Sequence, residues 1–140
     1  MTERRYRVAL RATHPRADLA PLFNRLGLHP SRHWRAGEPR ARGGVHGDSY
    51  ATAPLDTAGT AGREAVDLAQ QLRLELDRLA PHQPLLQALV AEGGRCELAI
   101  SLPADPGYGF DLGPWLCEAV ARLRLSLSFD IQPAPSGRLP

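Results

Sequence analysis

Residues 27–40, Gly-Leu-His-Pro-Ser-Arg-His-Trp-Arg-Ala-Gly-Glu-Pro-Arg, gather two histidines, a tryptophan and three arginines in fourteen positions. Arginine offers a planar fork of donors to carboxylate or phosphate, and tryptophan a ring face with one N–H. This mixture suits an anionic ligand or an acidic protein partner. The candidate contacts are Arg32, His33, Trp34, Arg35, Arg40 and Arg42, with Tyr50 on the strand that follows. A metal site is the competing chemistry, with His29, His33, His46 and Asp48 as ligands if the loop folds back on itself. Pro30 and the turn around it disfavour a helical i,i+4 pair of His29 and His33, so separate surface histidines are the preferred reading.

Nucleophilic catalysis would fall to Cys117. Its helical position lies well off the apolar face, whereas Cys96 points inward from a strand. No histidine stands near Cys117 in sequence, and a reactive thiol needs a depressed pKa. No nucleophile elbow, P-loop or dinucleotide fingerprint occurs. Asp18 and Asp111 each precede an apolar periodic run, which fits helix caps better than an acid–base pair. The expectation is therefore a protein without catalytic residues, bound metal or cofactor.

Composition narrows the class. The 140 residues suffice for one core, expected over 1–132 with a disordered tail at 133–140. No apolar run approaches the roughly 20 residues of a membrane helix, and no secretory h-region opens the chain. Two cysteines without a CxxC pair form neither a disulfide framework nor a zinc set, so a cytoplasmic setting is expected. All seventeen cations are arginine, and the net charge is +2. Five of them fall in residues 1–16 against Glu3 alone.

The elements that must position these residues follow from hydropathy. Tyr6, Val8, Leu10 and Ala12 alternate with Arg7, Ala9 and Arg11, a strand with one buried face. A turn and a short helix follow, with Asp18 as cap, Pro21 in the first turn and Gly27 as the stop. The pattern returns later. Cys96, Leu98, Ile100 and Leu102 alternate inward, a Gly/Pro turn with Tyr108 and Phe110 leads to a second helix, and Leu-Ser-Leu-Ser-Phe-Asp-Ile closes as a strand. Asp-Leu-Ala-Pro-Leu-Phe and Asp-Leu-Gly-Pro-Trp-Leu open the two helices alike. Between the halves, Ala65, Leu68, Leu72, Leu76 and Leu79 mark an amphipathic helix, with Arg63–Asp67 and Arg73–Asp77 pairs on its wet side. Pro81 and Pro84 separate it from a second helix that Gly93-Gly94 ends.

These elements predict an α+β fold: duplicated β-α-β halves forming a ferredoxin-like antiparallel sheet, helices on one face, and a two-helix connector. Its open face is expected to show Arg7, Arg11, Glu97, Ser101, Ser126, Ser128 and Asp130, and no aromatic ring. Stacking of nucleic-acid bases then lacks its platform, which leaves weak phosphate contacts as the least favoured function. Residues 29–48 have no counterpart in the second half. Trp34 is expected to anchor this long insertion, and the Arg-Ala-Arg-Gly-Gly run to be mobile.

Leu-Gly-Leu-His-Pro-Ser at 26–31, a Ser-aromatic strand at 49–50 and the leucine-patterned helix pair together resemble a family of small bacterial proteins. It is known as domain of unknown function 4279, and the likeness spans about residues 5–132. The resemblance implies this fold and no established activity. By analogy of size alone, an immunity-type protein that pairs with a toxin fits such a chain. A non-catalytic binding module using the 29–48 insertion is the expected function.

Overall fold

A computed structural model describes residues 6–55, 68–104 and 110–133. The Arg63–Asp67 pair, Ala65, Tyr108 and the tail from residue 134 lie outside these. Strand β1 (Arg7–His14) is followed by the short helix α1 (Ala20–Arg25), then by β2 (Arg32–Trp34) and β3 (Ser49–Pro54). The connector holds α2 (Leu68–Leu79), a 3₁₀ turn at Ala80–His82 and α3 (Gln83–Ala91). Strand β4 (Arg95–Pro103), α4 (Pro114–Arg122) and β5 (Leu125–Gln132) complete the chain. Pro81 and Pro84 each fall in the first turn of their element, where a missing N–H costs nothing.

The fold is α+β, with one mixed sheet of order β2-β3-β1-β4-β5. The expected duplication does not describe its pairing. Strand β1 runs antiparallel to both neighbours, β3 and β4, while β4 and β5 pair in parallel across α4. The second half is thus a parallel crossover, whereas the first brings β3 back antiparallel through the β2 arm. Matching hydropathy fixes which elements form but not the direction in which a strand returns.

Burial alternates with period two along β1, β3 and β4. Val8, Leu10 and Ala12 are buried with Ala51, Ala53, Cys96, Leu98, Ile100 and Leu102 beneath the helices. Register places Leu125, Leu127, Phe129 and Ile131 opposite Cys96, Leu98, Ile100 and Leu102, on that same side. Helix α2 contributes Leu68, Leu72, Leu76 and Leu79, and α3 contributes Leu86 and Leu89. Gly94 lets the end of α3 close against the sheet: a Cβ there would stand 2.8 Å from the Thr13 carbonyl and from Leu89. On the outer surface, Arg73 lies 4.4 Å over the ring of Trp115.

The caps shift slightly from expectation. Asp18 stands one residue ahead of the α1 cap, Leu19, and still accepts from Ala20 N–H at 3.1 Å. Asp111 is not a cap, because Gly113 takes that place ahead of Pro114. At the other end of α1, Gly27 adopts φ +76. Gly27 N–H donates to Asn24 O and Leu28 N–H to Phe23 O, the paired bonds that close a helix through a left-handed glycine.

Candidate functional site

The insertion is built into the sheet. Residues 32–34 form its edge strand: Arg32 stands opposite Thr52, His33 opposite Ala51 and Trp34 opposite Tyr50. Residues 35–48 fold into a hairpin arm, with Pro39 bridged to Val45 and Arg40 N–H donating to Gly44 O at 2.9 Å. Gly43 and Gly44, both at positive φ, turn the tip that was expected to be mobile. At the base of the arm, the hydroxyl of buried Ser49 accepts from Ala36 N–H at 2.9 Å.

The candidate residues divide between the two sides of this edge. His33 faces the helices and donates to Asp18 Oδ1 at 2.9 Å. Trp34 faces the open side, its Nε1–H donating to Asp48 O at 3.1 Å as an anchoring indole should. It stacks on His46 at 4.2 Å between centroids and on Tyr50 at 4.7 Å, with planes 18° and 26° apart. Arg32, Arg35, Arg40 and Arg42 are exposed along the strand and arm.

The four residues weighed as metal ligands are not brought together. His33 turns to Asp18 and His46 to Trp34, and among the described residues no three His, Cys, Asp or Glu side chains are placed to share an ion. Cys117 is exposed, its Sγ 3.7 Å from Leu112 O just ahead of its helix. Burial pushes the Cys96 thiol up to about 12, which makes it an inert packing group.

The hydrogen bond from His33, and then that from Ala20 N–H, hold the Asp18 carboxyl below its ordinary value of 3.8. A group depressed in the folded state stabilises fully above its unfolded pKa and loses that contribution as pH falls through the folded one. Stability should therefore fall on acidification below about pH 4, and Asp18→Asn should flatten that part of the curve. The difference should stay below about 1 kcal/mol, because both side chains are about one-third exposed. Urea titrations of the two proteins at pH 2 to 6 measure it.

The open face carries rings, contrary to expectation. Ser49, Ala51 and Ala53 are buried, so Tyr50 and Thr52 must point to the opposite side, with Thr13 and Arg11 of β1. Beside Tyr50 lies a shallow groove of about 190 Å³, walled by Arg11, Thr13, Tyr50, Arg95 and Glu97. Glu97 Oε2 lies 3.3 Å from Arg11 Nε and Oε1 lies 3.8 Å from Arg95. Two cations against one carboxylate leave a single net positive charge at the groove. Of the residues expected to bind, Tyr50 lines it; the arm's arginines do not. Arg11 was legible as an outward residue, but its meeting with Arg95 across two strand registers was not.

This geometry defines a class: an α+β sheet with one face covered by helices and one that the described elements leave open, its open side carrying a row of rings and guanidiniums across four strands. The chain belongs to the family described as Domain of unknown function (DUF4279), whose match spans residues 4–134. No curated protein and no solved structure matches the chain. No helix among the described residues is long and apolar enough to cross a membrane.

Proposed function

We propose that this chain is a non-catalytic binding module that takes an anionic group on the open face of its sheet. The group is either a small molecule or part of a protein partner's surface. The carrying observation is the groove beside Tyr50, where Arg11 and Arg95 share Glu97 and leave positive charge next to an aromatic wall. Glu97, 3.3 Å from Arg11 Nε, orients that guanidinium before any ligand arrives, which reduces the ordering cost of binding. Arg95 is 68% exposed, so its donors are reachable from solvent. An immunity-type role is the form this takes when the anion belongs to a toxin. Two free thiols suit a reducing, cytoplasmic setting.

Thermal unfolding in the presence of a panel of anionic compounds and acidic peptides tests the reading. A ligand at a hundred times its Kd stabilises a protein by about 2.7 kcal/mol. The wild type should show such a shift with at least one compound, and the Arg11→Ala/Arg95→Ala variant should lose it. Equal shifts in both proteins, or none in either, would refute the reading.

A further inference from the structure

We propose that the groove over Thr13 is a nucleotide site, the base standing between Tyr50 and Arg95 and the phosphate meeting Arg11 and Arg95. This rests on the anion-binding reading above and names its ligand class. Trp34 pairs with Tyr50, Tyr50 with Thr13, and Thr13 with Arg95, one cross-strand row over four strands. Trp34 and Tyr50 stack at 4.7 Å, about one strand spacing, so side chains in this row stand face to face. The short Thr13 interrupts the row where a third flat group would stand. Strands β3 and β4 flank β1, so their backbones lie roughly 9–10 Å apart. A ring midway between the two walls stands roughly 4.5–5 Å from each, close to the 4.7 Å at which Trp34 and Tyr50 stack.

The walls select the ring's chemistry. Tyr50 offers a π face and Arg95 a planar cation, the two surfaces on which bases stack in single-strand readers. Glu97 engages two guanidiniums and retains lone pairs for an exocyclic amine, as carboxylates accept from cytosine N4. A partner's aromatic side chain brings a ring but no negative charge for Arg11 and Arg95. A volume of about 190 Å³ is small against the roughly 300–1,000 Å³ of sites for drug-sized ligands, so one base enters and a dinucleotide cofactor does not. The shared chemistry is a base with its phosphate, whether a free nucleotide or one residue of a single strand.

Calorimetric titrations with AMP, CMP, UMP, inorganic phosphate, N-acetyltryptophan and a ten-nucleotide single strand test this. AMP or CMP should bind more tightly than phosphate, and UMP, without an exocyclic amine, several-fold more weakly. Tyr50→Ala should weaken binding by about tenfold to a hundredfold, the usual effect of removing a stacking ring. Thr13→Trp fills the gap in the row and should abolish binding. Arg95→Glu, a change at an exposed side chain, should do the same and serves if Thr13→Trp fails to fold. Tighter, steeply salt-dependent binding of the single strand assigns the source to nucleic acid; equal binding assigns it to free nucleotide. Phosphate binding as tightly as AMP, or N-acetyltryptophan binding better than any nucleotide, overturns the nucleotide inference while the anion-binding reading stands. Binding by none of the probes overturns the inference; failure of the broader anionic panel as well removes both.

Discussion

His14→Ala is expected to lower the unfolding free energy by about 2–4 kcal/mol, the cost of orphaning part-buried donors together with a lost contact. His14 is 6% exposed at the end of β1, where the chain turns toward α1. Its Nδ1 accepts from the backbone N–H of Arg16 at 3.0 Å and of Ala17 at 2.9 Å. Two donors on Nδ1 require that the ring proton sit on Nε2, which donates to Glu92 Oε1 at 3.1 Å. The imidazole thus closes the β1–α1 turn and ties it to the end of α3. Asparagine places an oxygen where Nδ1 stands, so His14→Asn should recover the turn bonds while losing the link to Glu92. Urea unfolding of the three proteins separates the contributions. If alanine and asparagine variants are equally stable, the turn-closing role assigned to His14 is wrong.

Phe23→Ala is expected to cost more, about 3–5 kcal/mol, as for other fully buried aromatic truncations. Phe23 has no exposed surface, and it is the largest of the fully buried side chains. Helix α1 has six residues, too few to hold itself in water. It is held by Phe23 with Leu19 and Leu26 in the core, and by the closing bonds through Gly27. The consequence reaches the candidate site, because Asp18 at the start of α1 holds His33, and His33 belongs to the strand that carries Trp34. Hydrogen exchange should therefore accelerate over residues 18–34 in the variant beyond the global loss. A loss below about 1 kcal/mol, with unchanged exchange in the arm, would contradict this account of how α1 positions the edge.

Much of the fold is legible in the sequence. Alternation identified β1, β4 and β5 and sorted their faces, because a strand's side chains must go one way or the other. Spacing by three and four, with two prolines, gave the two-helix connector. Trp34 was identifiable as an anchor because a buried indole needs both contact area and an acceptor. What escaped was pairwise. The antiparallel return of β3 depends on the three-residue β2 and its arm, which have no hydropathy period of their own. The facing of Tyr50 is set by the burial of Ser49, Ala51 and Ala53, and small residues give no such signal in sequence. His14 continued the inward alternation of Tyr6, Val8, Leu10 and Ala12, and that periodicity was the available clue to its burial.

Residues 29–48 are more than an insertion, since Arg32–Trp34 supply one edge strand of the sheet. The binding proposal now stands on the row of side chains across the open face. Backbone amide shifts recorded while CMP is added to the labelled protein test that placement most directly. The largest changes should map to Thr13, Tyr50, Arg95 and Glu97, with the amides of Leu86 and Leu89 in α3 left still. Shifts concentrated in the helical layer, or confined to the arm's tip at Arg40–Gly44, would contradict it.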